Sequence, residues 1–272
     1  LGFFTYNGTK WSTTISVKMV DYFIYGFMPG NAAASCTVSM LDGQSTFAAG
    51  AVLTLTGLSP VSGAGLSVIT GVQGVESSTA PQDIQLGRFA YTGKEKGKNY
   101  VYLLMDYLYS CVQFHIKVDA TYNTLRTIKL KRMELTADNV SSVNAVVTLT
   151  ANNEGEKPIS SVNWSPTLGS GTTAVLFESE AGEPLSTVAK NINAHQMPAI
   201  SGHLAIRTTY DVYDKHDNLI RKDCVATNQL PDALGIGAMQ AGEQLPVSLT
   251  INPTYIYVLS DPDLDNPSVT VE

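Results

Sequence analysis

The chain is 272 residues long, a length that leans toward two domains, and only 15% of it is charged, against about 25% in a typical soluble protein. Its 24 acids against 17 bases give a formal charge of −7, which excludes the basic face a nucleic-acid binder needs to displace phosphate counterions. No run approaches the roughly 18 apolar residues of a membrane-spanning helix.

Leu1-Gly-Phe-Phe-Thr-Tyr6 has no basic segment before an apolar one, so it reads as a strand and not as a signal peptide. Any targeting signal is therefore expected outside this sequence. Further strand candidates are residues 14–19, 22–27, 52–58, 66–72 and 85–91. Between them lie turn clusters, among them Met28-Pro-Gly-Asn31, Leu41-Asp-Gly-Gln44 and Ser62-Gly-Ala-Gly65. Residues 92–99 are polar, hold two glycines and form the densest basic stretch, which suits a linker. A domain boundary is placed near residue 105, giving an N-terminal domain 1–105 and a C-terminal domain 106–272.

The second half alternates cleanly. In Val112-Gln-Phe-His-Ile-Lys-Val-Asp119 every second residue is apolar, as in a strand with one face on a core. Ile128-Lys-Leu-Lys-Arg-Met-Glu-Leu135 alternates and then changes phase at Lys131-Arg132, which predicts a β-bulge. Residues 204–212 alternate again. Asp214-Lys-His-Asp-Asn218 follows as a polar turn into Leu219-Ile-Arg-Lys222, a predicted hairpin. Residues 247–251 and 255–258 complete the set. No long segment carries an apolar stripe of helical period, so the fold class is all-β.

The sequence carries no G-x-S-x-G, no H-E-x-x-H, no C-x-x-C and no G-x-G-x-x-G after a strand. The approach to a phosphate loop at Gly87 to Lys94 has five residues between its glycines instead of four, and Glu95 stands where a hydroxyl would hold magnesium. The three cysteines, Cys36, Cys111 and Cys224, are too few for a disulfide framework and read as small buried hydrophobes. His115, His195, His203 and His216 have no metal-ligand spacing; His195 and His203 read as surface residues of a turn-rich segment. Asp261, Asp263, Asp265 and Glu272 fall at positions 1, 3, 5 and 12 of an EF-hand count, a weak calcium candidate. Asn266 stands where the loop needs glycine, and a strand flanks it where a helix is required, so a polar turn is the preferred reading. No cofactor and no enzymatic activity are expected.

The ending Ile251-Asn-Pro-Thr-Tyr-Ile-Tyr-Val-Leu-Ser-Asp-Pro-Asp-Leu-Asp-Asn-Pro267 resembles the C-terminus of fimbrillin-like (Mfa-like) proteins, relatives of type V pilins from Bacteroides-type bacteria. The opening with Trp11 resembles their first-domain strand, and Tyr107-Leu-Tyr-Ser-Cys-Val-Gln-Phe-His-Ile-Lys117, Arg126-Thr-Ile-Lys-Leu-Lys-Arg-Met-Glu-Leu135 and Tyr210-Asp-Val-Tyr-Asp-Lys215 resemble strands of their second. The resemblance implies two transthyretin-like β-sandwich domains in tandem. It implies export as an outer-membrane lipoprotein whose lipid anchor and protease site lie upstream of residue 1. It further implies polymerisation into a fimbria, in which a donor strand from one subunit fills a groove in the next by β-augmentation. Val269, Val271, Tyr255 and Tyr257 are the donor candidates. Expected partners are other fimbrial subunits and, for a tip adhesin or non-polymerising surface lipoprotein, a host glycan or protein. Trp11, Trp164 and the aromatics of Tyr22-Phe-Ile-Tyr25 would supply an exposed binding platform, unless they are core residues.

Overall fold

The computed structural model describes residues 5–9, 11–12, 21–73, 88–90, 101–150, 157–200, 202–231 and 234–252. The strands of the first part are β1 (Thr5–Tyr6), β2 (Trp11–Ser12), β3 (Asp21–Phe23), β4 (Tyr25–Met28), β5 (Ser35–Ser39), β6 (Gly50–Leu58), β7 (Ser67–Gln73), β8 (Arg88–Ala90) and β9 (Val101–Tyr107). Then come β10 (Ser110–Val118), helix α1 (Ala120–Leu125), β11 (Thr127–Ala137), β12 (Val140–Thr150), β13 (Ile159–Leu168) and β14 (Thr172–Pro184). The last are β15 (Lys190–Asn191), β16 (His195–Met197), β17 (Leu204–Tyr213), β18 (Leu219–Gln229) and β19 (Gln244–Ile251). The protein is all-β. No described helix is long and apolar enough to cross a membrane.

By internal contact the chain divides into two units. The first takes Leu1–Thr56, Ser67–Tyr107 and Ala145–Asn163; the second takes Gly57–Leu66, Leu108–Asn144 and Trp164–Glu272. The partition falls within β6, β12 and β13.

In the first unit, β7 pairs antiparallel with β4 and β9, and the first-unit parts of β13, β12 and β6 join β5 in a second sheet, in the order β13-β12-β6-β5. Alternation buries Ala51, Leu53 and Leu55 of β6 and Ala145, Val147 and Leu149 of β12. Gly50 opens β6 with φ 141°, and a Cβ there would stand 2.1 Å from the Leu149 carbonyl oxygen. Only glycine admits that approach.

The second unit has two four-stranded sheets. One runs β14-β11-β17-β18, all antiparallel. In the other, β10 is central, flanked on one side by β15 and β16 and on the other by β19, which runs parallel to it from Cys111↔Gln244 to Val118↔Ile251. A parallel neighbour needs a long crossover, and the chain supplies one by building the opposite sheet between β10 and β19. Val112, Phe114, Ile116 and Val118 of β10 are all buried, as are Ile128, Leu130, Met133 and Leu135 of β11. The register of β11 against both neighbours shifts between Leu130 and Arg132, where the phase change in the sequence predicts a bulge. The β17–β18 hairpin closes through Asp214, whose carboxylate accepts from the backbone N–H groups of His216 and Asn218, each at 2.8 Å.

The sequence pattern does not mark several of the strands: β5, β9, β12, β13, β14 and the short β15 and β16. Two expectations, the strand at 14–19 and the linker at 92–99, lie outside the described residues.

Candidate functional site

A groove of about 450 Å³ lies between the two sheets of the second unit. One wall is the inner face of β17 and β18, with Ile206, Thr208, Tyr210 and Val212 on the former and Ile220, Cys224, Ala226 and Asn228 on the latter. The other wall comes from Ile116 of β10 and Leu249 and Ile251 of β19. Helix α1 closes the floor. Its N-cap, Asp119, accepts from the Tyr122 backbone N–H at 3.0 Å, while the Asp119 N–H donates to the Ile251 carbonyl at 3.0 Å. One residue therefore fixes the helix start and the end of β19 together, and it sets Tyr122 into the groove.

The lining is more apolar than polar and includes two arginines, Arg126 and Arg221. Burial raises the pKa of the Tyr122 and Tyr210 phenols and of the Cys224 thiol, with Arg126 and Arg221 partly opposing this. Cys224 therefore stays a thiol at neutral pH, a poor nucleophile. The lining holds no carboxylate and no histidine among the described residues. Such a surface suits apolar side chains.

Along the groove runs an edge. Among the described residues β18 pairs only with β17, leaving its other side without a ladder partner. Leu219, Ile220 and Val225 of this strand are exposed. Part of the edge is blunted, since Lys222 and Asp223 bulge out of register between the pairs Tyr210↔Cys224 and Val212↔Arg221. Asp223 has φ 52°, in the left-handed region, and the bulge is held from behind. The buried Asp211 carboxylate accepts from the Asp223 backbone N–H at 2.7 Å, and Lys131 bridges Asp223 and, at 4.0 Å, Asp211. The outer face of this sheet continues as an ion network in which Arg132 meets Glu134 and Glu178, and Lys129 meets Asp217 at 2.8 Å.

The donor candidates Tyr255, Tyr257, Val269 and Val271 lie outside the described residues, and so do the calcium candidates Asp261, Asp263, Asp265 and Glu272. Among the described residues no cluster of three His, Cys, Asp or Glu side chains could hold a metal ion. His195 departs from the surface position its turn-rich context suggests. It is 7% exposed on β16, with Nε2 3.3 Å from the Val61 carbonyl, and Gly63 packs against the ring. Burial lowers its pKa below the ordinary 6.5. The loop that covers it lies far back in the sequence, so no local signal marks the burial. Of the platform candidates, Trp164 packs on buried Tyr109 with ring centroids 5.9 Å apart, and Tyr25 packs on Phe47 while its hydroxyl donates to the Phe47 carbonyl; the side chains of Trp11 and Tyr22 are not described.

The chain is similar in structure to a fimbrial protein from Bacteroides vulgatus, at 12% identity and a TM-score of 0.38, over 92% of this chain and 80% of that one. It is also similar to a candidate cell adhesion protein from Bacteroides uniformis, at 14% identity and a TM-score of 0.28, over 81% of this chain and 87% of that one. No family model and no curated protein matches the sequence.

Proposed function

We propose that this chain is an exported subunit of a cell-surface fimbria or adhesive structure, built as two transthyretin-like sandwiches, that joins its neighbours by exchanging a β-strand. The observation that carries the reading is that, among the described residues, β18 pairs only with β17, beside a largely apolar groove. An edge supplies main-chain donors and acceptors, and the groove supplies pockets for alternate side chains, the two halves of β-augmentation. The fimbrillin-like phrases along the sequence support the same reading. The donor is the C-terminal segment, with Tyr255, Tyr257, Val269 and Val271 as the side chains that enter a neighbouring subunit.

Trypsin-type cleavage of the N-terminal segment of the full precursor, followed by size analysis and negative-stain microscopy, tests this. Filaments are expected after cleavage, and their loss when residues 269–272 are deleted. A cleaved protein that remains single would overturn polymerisation and favour a tip adhesin or a non-polymerising surface protein.

A further inference from the structure

The connection from β6 to β7, residues 59–66, lies in the second unit as a strap over β16. Both of its ends are held. The Tyr109 hydroxyl donates to the Ser59 carbonyl at 3.3 Å, and the Leu108 and Tyr109 N–H groups donate to the Leu66 carbonyl at 2.8 and 3.2 Å. Its middle is clasped by two adjacent residues of β16. His195 Nε2 donates to the Val61 carbonyl at 3.3 Å, and the Gly63 N–H donates to the Gln196 carbonyl at 3.0 Å. We propose that this clasp is an acid-sensitive latch, in which protonation of the His195 ring frees residues 61–63 from β16.

The geometry suits only the neutral ring. A carbonyl can only accept, so Nε2 carries the hydrogen and Nδ1 is bare. Among the described residues Nδ1 has no hydrogen-bond partner. The Cε1–Nδ1 edge of the ring faces Gly63, where a Cβ would stand 2.8 Å from Cε1 and 3.1 Å from Nδ1. A proton added at Nδ1 is then a buried, charged donor without an acceptor, and lifting the strap lets water reach it. No neighbouring charge offsets this. The strap holds no ionisable residue, and β16 holds none besides His195. On β10, which pairs Val112 with His195, the ionisable Cys111, His115 and Lys117 alternate onto the face opposite buried Val112 and Phe114. Tyr109 is kept a neutral phenol by burial. Burial is also the main force on the ring and lowers its pKa from 6.5, with the Val61 carbonyl partly opposing. The lifted ring titrates near 6.5 and the clasped one below it, so the latch weakens as pH falls through 6.5 toward the clasped value.

Amide exchange on the full chain tests the latch, read as protection factors so that the intrinsic pH dependence of exchange is removed. The Gly63 N–H, which the clasp holds, is expected to lose protection by several-fold, up to about tenfold, between about pH 7.5 and about pH 5.5, the ceiling for one proton linked to opening. The N–H groups of Cys111 and Ile192, bonded to the Glu243 and Phe114 carbonyls in the same sheet, should keep theirs. His195→Gln retains a neutral donor for Val61 and should show no such loss at Gly63. A Gly63 protection factor that does not change with pH overturns the proposal, and so does an equal fall in His195→Gln. A fall shared by Cys111 and Ile192 overturns it as well, since the ring then merely supports the sheet. Proton NMR of the His195 ring in the unaltered chain needs no variant: titration below 6.5 is expected, and titration at or above 6.5 removes the linkage on which the latch depends.

Discussion

Asp211 offers a sharp test of how the β18 edge is shaped. Its side chain is 9% exposed and its carboxylate holds the backbone N–H of Asp223, a residue kept at φ 52° outside the β17 ladder. Asp211→Ala removes the acceptor and leaves that N–H and the left-handed turn without support. An orphaned buried backbone donor costs about 1–3 kcal/mol. Asp223 is itself exposed, so water can reach the vacated position and the lower half of that range applies, about 1–2 kcal/mol. The ion pair of Lys131 with Asp211, at 4.0 Å on the outer face, adds little. Asp211→Asn keeps an acceptor oxygen in place and should cost roughly half as much. Urea unfolding at neutral pH gives both values, and amide exchange at Asp223 reads the bulge directly. If Asp211→Ala lies within about 0.5 kcal/mol of the parent, the range expected of an ordinary surface change, the bulge is not held by this carboxylate. If Asp211→Asn is as damaging as Asp211→Ala, its charge matters and its geometry does not.

Gly50→Ala should destabilise by about 2–3 kcal/mol, because the new Cβ meets the Leu149 carbonyl oxygen at 2.1 Å and φ 141° is strained for any side chain; an unchanged urea midpoint would contradict the close approach of β6 and β12. His195 should make stability pH-dependent. Its folded pKa lies below its unfolded value of 6.5, so the unfolded chain binds the proton first and stability falls as pH drops from above 6.5 through the folded pKa. The difference in urea midpoint between neutral pH and pH 5 should therefore shrink in His195→Gln, and an identical difference in the two proteins would show that the ring titrates normally.

What the sequence made legible was the local part of the fold. Period-2 alternation marked β10 because all four of its inward residues, Val112, Phe114, Ile116 and Val118, are large and buried. The bulge in β11 was legible because an inserted residue must shift the phase of an amphipathic strand. By contrast, β13 exposes or half-exposes every residue, and Asn163, Ser165 and Pro166 give it no apolar rhythm. In β5, Ser-Cys-Thr-Val-Ser offers one large apolar side chain, itself 37% exposed. Such strands are held by ladder bonds to a partner, and partners are not written locally. His195 is the same case for a side chain: its cover comes from Val61 and Gly63, and only the folded chain brings them together. The groove escaped for that reason too, since its lining is drawn from β10, α1, β17, β18 and β19.

The composition of β18 then becomes intelligible as a compromise between protection and use. An exposed edge invites any chain with free ladder groups, and natural edges counter this with charge and bulges. Here Arg221, Lys222 and Asp223 place charges and a bulge together in the first half of the strand, next to the apolar and exposed Leu219 and Ile220. From Cys224 to Gln229 the ladder with β17 is regular and no residue is charged. A pairing strand would meet a disrupted template at 221–223 and a continuous one at 224–229. Ala226 and Asn228 line the groove beside this regular half, and both are small enough to leave room for an incoming side chain. Under the proposed strand exchange, β18 resists indiscriminate pairing over its first half and would take a partner strand at 224–229, where backbone and pocket coincide.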